Sequence, residues 1–259
     1  MKALTKGLSF GALALAVAGA LAFICYDRAA FPQVAVGAPG FAVVELFTSE
    51  GCSSCPPADQ LVARLQEEDR KEPVYILAFH VDYWDRLGWK DVFSSPRYTQ
   101  RQNQYARWLS LNSIYTPQVV VNGHQEMVGS QESAVRKAID DGLDQTPAED
   151  LTFVAVREEQ GKVGWHYQVS HPERDQVLVV ALIQKKATTN VRGGENNGRT
   201  LSHVQIVRGL ASQSMGRGGA GSGDLTLPAG VRADEEELIA FVQDGVTGKI
   251  LAAARAAIP

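Results

Sequence analysis

Cysteine is scarce in this chain: 259 residues hold three. Cys25 lies in an N-terminal apolar stretch, which leaves Cys52 and Cys55 as the thiols of the body of the protein. A framework of several disulfides is thereby excluded. Excess positive charge is missing too. A formal net charge of −4 gives no reason to expect nucleic acid or an anionic membrane surface as the main partner. The glycine-rich segment "GRGGAGSG" (216–223) has no strand before it and no Lys-Ser/Thr at its end. It is not a phosphate loop, and it reads as a flexible surface loop.

What is present begins with an address. Lys2 and Lys6 precede an uncharged run over residues 7 to 26, within which Ala20-Leu21-Ala22 has the A-x-A form of a cleavage site. Residues 1–30 therefore read as a secretory signal peptide, or as a membrane anchor if cleavage fails, since the run is long enough to span a bilayer. Phe23-Ile24 is bulky where a lipidated Cys25 would want small residues. Either way the body of the chain is exported, and in a Gram-negative host it enters the periplasm. That compartment is oxidising, and Cys52 and Cys55 can pair there only with each other or transiently with other molecules.

As a staple such a bridge is weak. Chain-entropy reasoning gives roughly 2 kcal/mol for a four-residue loop, against about 4.7 kcal/mol for a 100-residue one. The context points to chemistry instead. "FAVVELFT" (41–48) reads as a buried strand, "SEGCSSC" as a turn, and "ADQLVARLQEED" as a helix with Leu61, Val62 and Leu65 on one face. The thiols thus lie between a strand end and a helix N-terminus, where free N–H groups and the helix dipole stabilise a thiolate. Cys52 is placed to attack and Cys55, one turn in, to resolve the mixed disulfide. Pro56 suits the first helical position, which needs no N–H donor. Half of a metal site, or an inert buried pair, are the alternatives.

"EPVYILAFHV" (72–81) is a second strand, and strand–helix–strand with this connection implies a parallel unit. In "SSPRYTQRQNQYARWLS", Ser95 can cap a helix whose Tyr98, Tyr105 and Leu109 face the core, with Arg97, Arg101 and Arg107 on the surface. Val119–Val121 and Gln125–Val128 flank Asn122-Gly123, a hairpin signal, and Pro117 stands at its entry, where an edge or a cis turn is needed. Ser130 then caps a helix with Val135, Ala138 and Ile139 on one face.

This order of elements resembles the thioredoxin fold, with Thr116-Pro117 matching its cis-proline. More narrowly, "VELFTSEGCSSCPPAD", "AFHVDYWD", "LGWKD", "YTPQVVVNG" and "ENNGRTLSHVQIVR" resemble one family of secreted bacterial proteins catalogued as a domain of unknown function, with an N-terminal thioredoxin-like domain. The resemblance implies a thiol–disulfide oxidoreductase in which Cys52 and Cys55 exchange and Thr116-Pro117 orients an extended substrate. The partners it implies are protein or small thiol/disulfide substrates, and it needs no cofactor. Ser53-Ser54 stands between the cysteines, so Ser53 is a supporting candidate. Glu45 is the candidate for the buried acid that such enzymes keep on the preceding strand. It lies one residue further from Cys52 than that pattern has, and a one-residue shift turns a strand side chain to the other face.

His80 and Asp82, in "HVDYWD" at the end of the second strand, would rim the thiols, or Asp82 would cap a turn while the aromatics cover the sheet end. Two non-enzymatic readings stand beside exchange. Cys52, Cys55 and His80 could carry Cu(I), which suits thiolates, or the protein could be an envelope interaction module whose disulfide stiffens a loop. From residue 150 onward, alternating runs at 151–170, 176–188, 199–210 and 237–258 argue an antiparallel β-sandwich. The expected fold is therefore α/β: a thioredoxin-like domain over 38–146, then a β-sandwich-like domain over 150–259. Arg192, Glu195, Asn196, Arg199 and His203 read as surface, or as contacts to the first half or to a partner.

Overall fold

A computed structural model describes residues 40–259 except 69–70, 159–160, 216–217 and 228–232. The expected leader at 1–30 with Cys25, the Gln160 end of the 160–161 turn, and the start of the 216–223 loop lie outside the described residues.

β1 (Ala42–Thr48) and β2 (Val74–His80) pair in parallel along their whole length, joined by α1 (Pro56–Glu68). Pro56 occupies the first position of α1, as its missing donor allows. α2 (Pro96–Trp108) starts at Ser95, whose hydroxyl accepts from the Arg97 N–H. β3 (Gln118–Val121) pairs antiparallel with β1 and forms a hairpin with β4 (Gln125–Val128). Asn122 and Gly123 take positive φ at that turn, and the Asn122 side chain also ties Val43 N–H and the Phe41 carbonyl. α3 (Glu132–Leu143) follows; its N-cap is Gln131, not Ser130, and no side chain caps it.

The remaining elements are β5 (Leu151–Arg157), β6 (Lys162–Val169), β7 (Gln176–Asn190), β8 (Thr200–Ser214), β9 (Ala220–Thr226), β10 (Glu236–Asp244) and β11 (Ile250–Ala257). Eight strands make one mixed sheet in the order β11-β10-β7-β8-β2-β1-β3-β4, and β5-β6-β9 make a second.

The halves expected on either side of 146–150 share the large sheet. All described residues fall in one compact unit, and β8 joins β2 at Ala78 and Ile206. The reason lies in β1 and β2. Phe47, Leu77 and Phe79 form an apolar surface that the first half alone does not cover, and Ile183, Val207, Ile239 and Phe241 complete that core together with Tyr98 and Tyr105 of α2. The other face of the large sheet is covered in two parts. α1 and α3 lie over Ala42, Val44 and Leu46, while the second sheet packs Phe153, Trp165 and Tyr167 onto Leu178, Leu182, Leu238 and Val242. Sandwich-like packing is thus present, but one of its two sheets is shared with β1–β4.

The glycine-rich segment is also different from expectation. Its residues 220–223 belong to strand β9, paired with β6 so that Gly221 faces Tyr167 and Gly223 faces Trp165. A Cβ on Gly223 would sit 2.5 Å from Trp165 Cζ2, and one on Gly221 2.8 Å from Tyr167 Cε1. The glycines make room for aromatic rings on the neighbouring strand.

Candidate functional site

β1 ends at Thr48, and the loop 49–55 carries the cysteines into α1. Cys52 and Cys55 are joined in a disulfide with Cα atoms 5.4 Å apart. The first turn of α1 hangs from Cys55, whose carbonyl accepts from Ala58 N–H at 2.9 Å and Asp59 N–H at 3.2 Å. Ser54 Oγ lies 3.3 Å from Cys52 Sγ, and Ser53 and Ser54 are exposed. Both cysteines are fully buried.

Two segments provide that cover. Trp84 lies against Gly51, and its Nε1 donates to Thr116 Oγ1 at 2.8 Å. The indole thereby spans from the cysteine loop to Thr116-Pro117, whose peptide bond is cis. Gly129 supports the same arrangement, for a Cβ there would touch Ala58 of α1 at 3.1 Å and Pro117 at 3.3 Å. The second cover is the tip of the β7–β8 hairpin, residues 191–199. Asn196 Nδ2 donates to the carbonyls of Glu50 and Cys52, each at 2.9 Å, and Glu195 accepts from Ser53 N–H at 3.0 Å. The Ser53 side chain, and after it this N–H, holds the Glu195 carboxyl below its usual pKa. Arg199 steadies Asn196 through its Oδ1, and Gly193 and Gly194 let the tip lie against Gly88 and Trp89. Of the two readings open for this polar tip, the structure takes contact with the first half.

Beneath the cysteine loop is a buried set of ionisable side chains. His80 Nδ1 lies 2.7 Å from Asp91 Oδ2, which also accepts from Glu50 N–H at 2.8 Å. Burial works against a proton on His80, but Asp91 outweighs it, with Asp59 and Glu50 adding, and the net shift is upward. For Asp91 burial pushes upward, the His80 charge and hydrogen bond outweigh it, and the net shift is downward. His203 of β8 stacks edge-on against His80 with ring centres 4.8 Å apart, and its Nε2 is 3.5 Å from Glu50 Oε1. Glu50 Oε2 accepts from Trp89 Nε1 at 2.7 Å. Asp59, four residues after Cys55, takes the Thr48 hydroxyl at 3.3 Å. Burial raises the Asp59 pKa against the pull of His203 and His80.

The other sequence candidates lie elsewhere. Glu45 is fully buried on the α2 side of the sheet, bound by Arg101 through Nε and Nη2 and by the Tyr105 hydroxyl at 2.5 Å. Alternation along β1 puts its neighbour Leu46 on the α1 side and Glu45 on the opposite one. Arg101, expected at the surface, is buried, because it stands three residues after Tyr98 and four before Tyr105 and so shares their face. Asp82 bonds Thr99 of α2 through its N–H and carboxylate, and anchors that helix instead of rimming the thiols. His80 is inside, not at the rim. Among the described residues no three His, Cys, Asp or Glu side chains are grouped to hold a metal ion. A Cu(I) site from Cys52, Cys55 and His80 is therefore not preformed.

Glu50, Asp59, Asp91, Asn196 and His203 complete the site. Asp59 alone had a local signal, its i+4 spacing from Cys55 on an inward helix face. The others meet only through the tertiary fold.

An X-ray crystal structure of a protein from Agrobacterium tumefaciens is similar over 85% of this chain and 95% of its own, at 25% identity and a TM-score of 0.62. A domain of the outer membrane lipoprotein Omp28 from Porphyromonas gingivalis aligns with 43% of this chain and 88% of its own, at 16% identity and a TM-score of 0.29. No curated protein matches the chain. A family profile matches residues 43–243, from β1 through most of β10. The chain belongs to that family, described as "Protein of unknown function (DUF1223)".

Proposed function

We propose that the protein is an exported thioredoxin-like thiol–disulfide oxidoreductase acting through Cys52 and Cys55. One observation carries the reading: the disulfide sits where a parallel strand hands over to a helix N-terminus, with the cis Thr116-Pro117 bond linked to the same loop by Trp84. A thiolate at Cys52 gains from the positive end of the α1 dipole, although the first turn spares no N–H, since Pro56 and Pro57 have none and Ala58 and Asp59 donate to the Cys55 carbonyl. In exchange, that thiolate attacks one sulfur of a substrate disulfide and expels the other as a thiolate. Cys55 Sγ then attacks Cys52 Sγ, restores the internal bond and releases the second substrate thiolate. The substrate is reduced by two electrons and the cysteine pair oxidised; with a substrate dithiol the same steps run in reverse. The side chains invoked need no cofactor. Both sulfurs are buried, so access requires local opening of the cysteine loop's cover, to which the 191–199 tip belongs.

Burial of both cysteines favours a second reading, in which the disulfide only fixes the loop of a non-catalytic envelope protein. Equilibration with glutathione and thiol trapping separates the two. Exchange predicts that Cys55→Ser accumulates a mixed disulfide on Cys52, while Cys52→Ser forms none. A disulfide that stays closed across the glutathione range, with a Cys52→Ser/Cys55→Ser protein fully functional in cells, would leave the structural reading.

A further inference from the structure

Resting on the oxidoreductase reading, we infer that Asp59 accepts and returns the proton of Cys55 during exchange, in place of the strand acid Glu45. The placement comes from α1. Asp59 N–H bonds the Cys55 carbonyl, so the two residues are one turn apart, and both are buried on the inward side of the helix. Side chains at this spacing have Cβ atoms about 5–6 Å apart. The Thr48 hydroxyl fixes the carboxyl between the end of β1 and the first turn of α1, under the loop that carries the sulfurs.

The groups around Asp59 suit a carboxyl that gains and loses charge. His80 of β2, His203 of β8 and Asp91 of the loop before α2 act on it electrostatically, and Glu50 of the cysteine loop lies beside His203. Among the described residues His80 Nε2, both His203 ring nitrogens and Glu50 Oε1 have no hydrogen-bond partner. Buried polar atoms are normally satisfied, so this cluster keeps donor and acceptor capacity in reserve. Glu45 has none to spare: Arg101 and Tyr105 hold both its oxygens on the far face of the sheet. Desolvation keeps Asp59 protonated to a higher pH than an ordinary aspartate, nearer the thiol it serves.

The step balances. Asp59 carboxylate takes the proton of the Cys55 thiol. The Cys55 thiolate attacks Cys52 Sγ in the mixed disulfide, the Cys52–Cys55 bond forms, and the substrate thiolate leaves. That thiolate takes the proton back from Asp59. The substrate here is a disulfide of a small thiol or of a protein cysteine.

The test uses the whole chain with glutathione disulfide as probe. The reduced protein is mixed with the probe, and the rate at which Cys55 displaces glutathione from Cys52 is followed against pH. The expected wild-type profile has a limb that rises through the Asp59 ionisation, separate from that of the thiol, whose ordinary pKa is about 8.5. Asp59→Asn, nearly equal in volume, should lose that limb, slow about tenfold or more near neutrality, and follow the thiol alone. Thr48→Val gives a second reading if Asp59→Asn fails to fold: the lost hydroxyl bond should move the limb to higher pH. Formation of the mixed disulfide with identical profiles in wild type and variants would overturn the role of Asp59 and leave the oxidoreductase reading standing. A wild-type protein that never reacts with the probe would overturn both.

Discussion

Asn196 Nδ2 donates to the carbonyl oxygen of Cys52 at 2.9 Å, across 144 positions of sequence. The same amide holds the Glu50 carbonyl, so one buried side chain fastens the β7–β8 tip over the disulfide. Removing it takes a donor from both carbonyls, of which that of Cys52 keeps the Cys55 N–H at 3.2 Å. Asn196→Ala should cost about 1–3 kcal/mol and should speed reduction of the disulfide by dithiothreitol severalfold. Stopped reaction with a thiol label measures the rate. An unchanged rate would mean that Trp84 and the loop itself control access.

The Glu45–Arg101 pair is predicted to be structural. Arg101→Met leaves a fully buried carboxylate without its cation, and breaking such a pair costs about 3–5 kcal/mol. Urea denaturation should show that loss. The double variant Glu45→Leu/Arg101→Met should recover most of it, with the glutathione equilibrium of Cys52–Cys55 unmoved. A shifted equilibrium would return Glu45 to the redox site.

The His80–Asp91 pair gives a pH signature. The folded-state pKa of His80 is raised above 6.5, so its contribution is full below 6.5 and is lost as pH rises through the raised value. That of Asp91 is lowered below 3.8, so its contribution is present above 3.8 and is lost only as pH falls through the lowered value. The pair is therefore strongest between those two reference values. The stability difference between wild type and Asp91→Asn should shrink as pH rises from about 6 to about 9. Denaturant midpoints at several pH values would measure it, and a constant difference would refute the ion pair.

Gly223 tests the second sheet. Alanine there meets the ring of Trp165, which is almost wholly buried and cannot retreat cheaply. Gly223→Ala should destabilise by about 1–3 kcal/mol, the usual cost of overpacking. The same change at Gly161, which has open space but a positive φ, reports backbone strain alone. Thermal unfolding of both variants separates ring overlap from strain.

The sequence by itself determined the local elements around the cysteines. Short apolar runs, Pro56 and Ser95 at helix starts, and Asn122-Gly123 at the hairpin each act within a few residues, so they could be read without the fold. The same locality fixed the cysteine pair at the entry to α1. Only the tertiary structure decided what surrounds it. Glu45 and Asp59 are both acids near the motif, but strand alternation sends the first to α2 and helical spacing keeps the second beneath Cys55. The charge of Arg101 suggests solvent, but a facing buried carboxylate makes its place inside. The joining of the two halves through one sheet has a related cause. An apolar strand edge and the face of Phe47 and Phe79 need covering, and local sequence does not say which distant segment supplies Val207 and Phe241. Burial is a property of the whole assembly of strands, and so is the cover that Asn196 places over Cys52.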